Sequence, residues 1–218
     1  TAASAAGLPE GLVAYYPFDA AGPSVRDASG NGNDGEAHGA RFVEEGAVGG
    51  CFEFRGGPDE GDFIRVPHSS SLVSMQETRG LTLCAWIRPR SMPRDFPVVV
   101  GKGGNQKPDC CGGYEFTLNA HGDHDLSFTS GTSAALITRN AKGRYVNKRL
   151  DRWIHIAVAL HSRPASADFA FYVDGVRAEL SDADSGLDGR NAQFDISNDL
   201  YIGGPDPNHH PNRAFFDG

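Results

Sequence analysis

Acidic and amide side chains alternate with glycines in one loop near the amino terminus. Asp19 ends an apolar run, and Asp27, Ser29, Asn31 and Asn33 follow at short intervals. Calcium needs several oxygen ligands from a tightly folded loop, and glycine gives the backbone the freedom to fold that tightly. The spacing therefore predicts a site for a hard cation. The alternative is a surface turn in which the same polar side chains cap backbone groups.

A second loop, residues 101–114, brings polar side chains next to the adjacent cysteines Cys110 and Cys111. If a disulfide joins these two, the closed ring rigidifies the turn and offers a compact apolar platform. A sugar ring could lie against that platform or against Tyr114, because small-ligand sites combine apolar surfaces with a few convergent polar groups. The groups that would bond its hydroxyls are Lys102, Asn105, Gln106 and Asp109. The alternative is a rigid loop without a ligand.

A strand pattern over residues 81–88 puts an aromatic and a basic side chain on one face. Apolar residues at every second position face the core, so Trp86 and Arg88 share the opposite face. If that face is concave, the pair lines a groove suited to a saccharide. The alternative, Trp86 packed beneath a loop, agrees with the usual burial of tryptophan. Residues 153–160 alternate in the same way, and His155 is expected to be a polar residue satisfied by its neighbours.

The cysteines allow disulfides in more than one pairing. If Cys110 pairs with Cys111, then Cys51 and Cys84 are left to bridge two predicted strands. Disulfides form and persist in oxidising compartments, so this scheme would place the protein outside the cytoplasm. The alternative is that all four cysteines are free thiols.

The composition indicates an all-β protein. The 218 residues contain 28 glycines and 13 prolines, and short apolar or alternating runs separated by turn residues replace helical periodicity. This pattern is typical of a sandwich or barrel. Asp174-Gly175 is expected to form a two-residue hairpin turn. Predicted strands include residues 12–17, 63–66, 98–102 and 114–118.

The charge and the missing motifs exclude several functions. A net charge of −8 argues against nucleic acid and anionic membranes as partners. No apolar stretch approaches the ~20 residues that a membrane-spanning helix needs. Polysaccharide hydrolases place two carboxylates on one strand face, and no segment here has that pattern. Serine-nucleophile, Walker and dinucleotide motifs are also missing from the sequence. We therefore expect a monomeric binding protein rather than an enzyme.

Several short motifs follow one another in a characteristic order. They are Leu12-Val-Ala-Tyr-Tyr-Pro-Phe-Asp19, Gly50-Cys-Phe-Glu-Phe-Arg-Gly56, Phe63-Ile-Arg-Val-Pro-His68, Leu81-Thr-Leu-Cys-Ala-Trp-Ile-Arg-Pro89, Trp153-Ile-His-Ile-Ala-Val-Ala159, Phe171-Tyr-Val-Asp-Gly175 and Tyr201-Ile-Gly-Gly204. Together they resemble laminin-G-like domains with a concanavalin A-like lectin/glucanase fold. The resemblance implies a two-sheet antiparallel jelly-roll sandwich over residues 11–218, with residues 1–10 as a flexible remnant or linker. It also implies one further strand after residue 218.

The resemblance extends to a site and a function. It implies a structural calcium ion where the amino-terminal loop meets the carboxyl-terminal end, with Asp27 and Asn33 as the closest matches. The complete candidate set is Asp19, Asp27, Asn31, Asn33 and Asp217. The implied function is a non-catalytic, secreted, periplasmic or cell-surface module that binds a polysaccharide or glycan, within a larger protein. A protein-adhesion or structural module is the alternative, followed by a polysaccharide lyase or glycoside hydrolase.

Overall fold

The computed structural model describes residues 7–57, 61–73, 80–92, 96–103, 113–119, 124–132, 135–163, 166–181, 185–186, 197–207 and 213–218. Strands dominate these residues, which also contain two 3-10 helices, Ser70–Val73 and Asn147–Arg149; neither is long or apolar enough to cross a bilayer. The strands are β1 (Ser24–Val25), β2 (Gly35–His38), β3 (Arg41–Val43), β4 (Cys51–Glu53), β5 (Phe63–Val66), β6 (Gly80–Ile87), β7 (Val98–Lys102), β8 (Tyr114–Leu118), β9 (His124–Thr132), β10 (Ala135–Lys142), β11 (Ile154–Arg163), β12 (Ser166–Val173), β13 (Val176–Arg177), β14 (Ser185–Gly186) and β15 (Leu200–Ile202).

Most of the strands belong to two antiparallel sheets. The larger sheet has nine strands in the order β1-β2-β5-β15-β7-β8-β9-β10-β14, and the smaller has four in the order β13-β12-β11-β6. β3 and β4 form a separate two-stranded ribbon. β15 comes late in the sequence but lies between β5 and β7. This arrangement confirms the predicted all-β, two-sheet antiparallel sandwich.

The core lies between the two larger sheets. Phe116 on β8 contacts Phe171 on β12 with ring centroids 6.2 Å apart, and Phe128 on β9 lies 5.9 Å from Phe169 on β12. All four side chains are buried. Because side chains alternate between the two faces of a strand, this packing turns every second residue of β6 and β11 toward the outer surface.

The predicted hairpin turn is confirmed. Asp174 and Gly175 have φ values of 50° and 79°, and they join β12 to β13 with Val173 opposite Val176. A two-residue turn of this kind needs positive φ at both central positions. The Asp174 carboxylate also accepts a hydrogen bond from the backbone N–H of His155 (3.0 Å), which ties the turn to β11.

The amino-terminal segment differs from its prediction. Residues 12–17, expected as a strand, have no strand assignment in the structure. The segment is held instead by bonds to the following loop: the Ala28 N–H donates to the Tyr15 carbonyl (2.7 Å), and the Tyr16 hydroxyl donates to the Asn33 carbonyl (2.7 Å). The apolar side chains of the segment pack against the core. β1 and β14 have two residues each, and β2 has no β-branched residue, so no strand pattern in the sequence predicts them.

The expected bridge between Cys51 and Cys84 is not formed, because both are free thiols. Cys51 lies on β4, close enough to Arg88 for the arginine charge to act on it. Cys84 lies on β6, which belongs to a different sheet from β4. Burial is the main reason that the pKa of each thiol is raised. Cys110 and Cys111 lie outside the described residues.

Replacing Gly203 with alanine tests the close packing beside β15. Gly203 has a φ of 79°, and a Cβ at this position would overlap the ring of Phe54. We expect Gly203→Ala to lower the free energy of unfolding by about 2–4 kcal/mol, because backbone strain and steric overlap add together.

Gly30 provides the matched control for this substitution. Its φ is 92°, but a Cβ there would meet no atom within 4 Å. Gly30→Ala should therefore lower the free energy of unfolding by the backbone strain alone, about 1–2 kcal/mol. Urea denaturation of both variants measures the difference, and equal losses would show that contact with Phe54 adds nothing.

Candidate functional site

Asp27 is the centre of the amino-terminal loop. Its buried carboxylate accepts hydrogen bonds at Oδ1 from the backbone N–H groups of Tyr15 (2.9 Å) and Ser29 (2.8 Å). Oδ2 accepts from the N–H of Asn33 (3.0 Å) and from the hydroxyl of Ser29 (2.8 Å). Burial by itself raises the pKa of Asp27, but these bonds to the charged form outweigh it, and the pKa is lowered overall. The carboxylate is therefore ionised and satisfied on both oxygens.

The two asparagines of the loop bind the amino-terminal segment. Asn31 Nδ2 donates to the carbonyls of Leu12 (2.9 Å) and Val13 (3.0 Å). Asn33 Nδ2 donates to the Val13 carbonyl (2.9 Å) and to the Ser71 hydroxyl (2.9 Å). The carbonyl oxygens of Leu12 and Val13 are thus bonded by amide donors.

This donor set does not fit a calcium ion. A cation site needs oxygens that converge without protons between them, whereas here N–H groups converge on the central carboxylate. Asp217 is engaged elsewhere, since it accepts from Arg90 Nε (2.9 Å) and from the Ser91 hydroxyl (2.9 Å). Asp19 lies beside Gly49. The described residues contain no group of three His, Cys, Asp or Glu side chains that could hold a metal, so the calcium ion stays a prediction.

The predicted ligand loop is only partly described, because Asn105, Gln106, Asp109, Cys110 and Cys111 lie outside the described residues. Lys102 and Tyr114 are described, and their exposed fractions are 0% and 2%. Lys102 Nζ contacts His68 Nδ1 (3.1 Å) and the Asn198 carbonyl, and burial lowers the pKa of Lys102 to about 8. Burial also raises the pKa of Tyr114. These positions correct the expectation that Lys102 and Tyr114 line an exposed rim.

The outer face of β6 presents the predicted aromatic and basic pair. Trp86 is 48% exposed, which corrects the alternative of a ring packed beneath a loop. The Trp86 ring meets His155 on β11 edge to face, with centroids 5.3 Å apart. Arg88 places its guanidinium 5.3 Å from the centroid of the Trp153 ring, a cation–π contact. We call the surface formed by Trp86, Arg88, Trp153 and His155 the Trp86 face.

The register of β6 and β11 brings these four side chains together. Trp86 is paired with His155, and the next pair along the two strands is buried in the core. One residue further along, Arg88 and Trp153 lie side by side on the outer face. The sequence analysis assigned no ligand role to Trp153 or His155. The sequence does contain a pattern that predicts this role: residues 81–88 and 153–160 alternate in the same way. If the two strands pair, their outward residues form one surface.

Small side chains continue the Trp86 face along the sheet. The next outward pairs are Cys84 with Ala157 and Thr82 with Ala159. These side chains are much smaller than an indole ring, so the Trp86 ring stands above the sheet surface beside them. The exposed ring of Trp86 is therefore followed along β6 by the smaller exposed side chains of Cys84 and Thr82.

A second polar cluster, on the outer face of the nine-stranded sheet, was missed by the sequence analysis. Arg213 Nε donates to Glu115 Oε2 on β8 (3.0 Å), and both side chains are buried. The Arg213 guanidinium also lies 5.1 Å from the centroid of the Phe96 ring. The paired residues are 98 positions apart in sequence, so no local motif could indicate the contact. The ion pair fastens the segment around Arg213 to β8.

Comparison with known proteins identifies a family. A family model for the concanavalin A-like lectin/glucanases superfamily, of the laminin G type, matches residues 58–218, which is more than half of the chain. No curated protein gives a significant match. The matched region includes β6 and β11, and therefore the whole of the Trp86 face.

Replacing Asp27 with asparagine tests the centre of the loop. Asparagine keeps one acceptor oxygen but turns an amide NH₂ toward N–H donors such as that of Asn33. We expect Asp27→Asn to lower the free energy of unfolding by about 2–4 kcal/mol in urea denaturation at neutral pH. Asp34→Asn is the control, because it keeps an oxygen for the Asp27 N–H (2.7 Å) and should cost less than about 1 kcal/mol. Equal losses in the two variants would contradict the central role of Asp27.

The stability should also depend on pH through Asp27. Because the pKa of Asp27 is lowered in the folded protein, its contribution is complete above the unfolded pKa of about 3.9 and is lost as the pH falls through the lowered value. Wild type should therefore lose more stability than Asp27→Asn as the pH falls from about pH 4 to about pH 2. If the free energy of unfolding depended on pH in the same way for wild type and variant, this expectation would be contradicted.

Melting with calcium or with a chelator tests the ion directly. A loop held by hydrogen bonds alone predicts the same Tm under both conditions. A saturating rise of Tm with added calcium would establish the metal and would overturn the donor-set argument.

Proposed function

The chain belongs to the concanavalin A-like lectin/glucanase superfamily, and on this basis we propose that it is a carbohydrate-binding module whose ligand lies on the Trp86 face. The superfamily contains enzymes as well as binding proteins, so membership alone does not select between them. The proposal is for binding without catalysis. We place it at a secreted, periplasmic or cell-surface location, where polymeric glycans are available as ligands.

The observation that carries the proposal is the exposed ring of Trp86 on a sheet surface. Tryptophan is usually well buried, and an exposed apolar ring gains free energy when a ligand removes it from water. The apolar face of a sugar ring can cover the Trp86 ring. Arg88 and His155 lie close by and can bond hydroxyl groups. An apolar surface with a few convergent polar groups is the usual composition of a small-ligand site.

The ring of Trp86 is positioned before a ligand arrives. β6 pairs with β11 along its whole length, from Gly80 opposite His161 to Ile87 opposite Ile154. The edge-to-face contact with His155 further restricts the indole ring. Because a fixed platform loses little conformational freedom on binding, more of the contact energy is available as affinity.

Asp174, an acid beside this surface, supports binding rather than hydrolysis. A glycosidase needs a carboxylic acid with a raised pKa to protonate the leaving group. Asp174 is bonded to the His155 N–H and to Arg149. Burial alone would raise the pKa of Asp174, but these partners lower it overall. Asp174 is therefore held ionised and is unsuited to the role of general acid.

A protein surface is the second candidate ligand. Tryptophan and arginine are the residues most enriched among the energetically important positions of protein interfaces. The exposed Trp86 next to Arg88 would serve such a partner as well. A glycan screen separates the two candidates, because only the first predicts binding to a sugar.

Replacing Trp86 with alanine tests the proposed site. In a screen of polysaccharides and glycans, wild type should bind one sugar class, and Trp86→Ala should weaken that binding by about tenfold or more. The reason is that burying an aromatic face contributes at least the roughly 1.4 kcal/mol that corresponds to tenfold. The measurement is repeated with calcium and with chelator, which shows whether binding needs the ion.

The control is Tyr15→Ala, because Tyr15 is exposed to a similar degree (40%) but lies in the amino-terminal segment. Its affinity should equal that of wild type. Thermal melts of both variants establish that the fold is retained. Unchanged affinity of Trp86→Ala would move the site elsewhere, and a folded wild type that binds no sugar would favour the protein ligand.

A further inference from the structure

We propose that the glycan bound on the Trp86 face is acidic, and that Arg88 receives a uronate carboxylate while the sugar ring lies against Trp86. This inference rests on the proposed function, and it names the substrate class of the same site.

In the part of the chain that the structure describes, Arg88 has no acidic partner, unlike Arg90 and Arg149. Arg90 is paired with Glu53 and Asp217, and Arg149 is paired with Asp174. Arg88 is exposed and stacks on the Trp153 ring, and in the part of the chain that the structure describes it forms no hydrogen bond or ion pair. Its N–H donors are therefore free for a ligand.

Stacking on Trp153 orients the guanidinium without using its donors. A cation–π contact engages the face of the guanidinium plane, and the N–H groups at its edge point outward. The planar fork of an arginine matches a carboxylate with two parallel hydrogen bonds. The orientation of Arg88 therefore favours a carboxylate, which can accept from two of its N–H donors. A single hydroxyl would accept from only one of them.

Two acids near this end of the sheet already have arginine partners. Glu53 is bonded by Arg41 and Arg90, and Asp174 is bonded by Arg149. The net charge of −8 belongs to the chain as a whole. Exposed charges farther away than about 8–10 Å are largely screened at physiological salt, so the net charge of the whole chain does little to weaken the attraction of Arg88 for a carboxylate.

The spacing of the two side chains fits one sugar residue. Trp86 and Arg88 are two positions apart on one face, which separates their Cα atoms by about 7 Å. This separation allows a pyranose ring on the indole to present the carboxylate on its ring carbon to the guanidinium. A neutral sugar can use the Trp86 platform but leaves the fork of Arg88 without its best acceptor.

The test compares polyuronates with their neutral esters. Polygalacturonate, alginate and hyaluronan are titrated by calorimetry in the presence of chelator, each beside the same polymer after methyl esterification of its carboxyl groups. Wild type should bind at least one polyuronate about tenfold or more tightly than its ester, because the ester removes the charge that the fork bonds. Equal affinities, or binding only to neutral glycans of the screen, would overturn the acidic ligand and leave the proposed function intact. Binding to no polymer in either form and to no glycan would overturn both.

Substitutions at Arg88 locate the effect. Arg88→Met should lose about tenfold in affinity for the polyuronate and keep its affinity for the ester. Arg88→Lys should recover part of the loss, because it keeps the charge but not the fork. Arg88 is exposed, so both variants should fold, which thermal melts verify.

The matched control is Arg177→Met. Arg177 is also exposed and lies on the same face of the sheet, but on β13, three strands from β6 and about 14 Å away. The Arg177→Met variant removes the same charge as Arg88→Met, and it should change the affinity for the polyuronate less than about twofold. Equal losses in Arg88→Met and Arg177→Met would mean that net charge governs binding, and would overturn the assignment of Arg88.

Discussion

Alternation of side chains along β6 and β11 is the constraint that decides what this molecule presents to a ligand. Leu81 and Ile87 must face the core, so Trp86 and Arg88 must face outward. A slip of one residue in the pairing would exchange the two faces and bury the indole in place of the core residues. The ligand surface therefore follows from how the core packs, and it needs no loop of its own to hold it.

The amino-terminal segment is held by a different device. A strand satisfies its backbone through a ladder, but residues 12–16 are satisfied largely by the side chains of Asp27, Asn31 and Asn33. The polarity of this arrangement is the reverse of a cation site, because a negative charge lies at the centre and donors surround it. A loop rich in acidic and amide residues can fold either way, since the same side chains are both metal ligands and caps of the backbone.

The periodic parts of the fold could be predicted from the sequence, and the site could be predicted in part. β5, β7 and β8 have the bounds that their alternating or apolar runs indicate, and Trp86 and Arg88 lie on the face that alternation assigns. Contacts set by tertiary structure could not be predicted. Nothing local shows that Arg213 reaches Glu115, that Asp217 is taken by Arg90, or that Trp153 supports Arg88. The apolar run at residues 12–17 resembles a strand because packing against a core needs the same side chains as pairing in a sheet.

The place of β15 has a consequence for synthesis of the chain. Leu200–Ile202 lies between β5 and β7, so these earlier strands never pair with each other and each leaves one edge open until β15 arrives. A ribosome releases residues 63–118 long before residues 200–202, and during that interval the large sheet exists as two separate halves with unpaired edges. Unpaired edges are the usual starting point for association between nascent chains. Closure of the sheet therefore comes after the synthesis of β5, β7 and β8, and its high contact order makes it slow compared with the formation of local hairpins such as β12–β13.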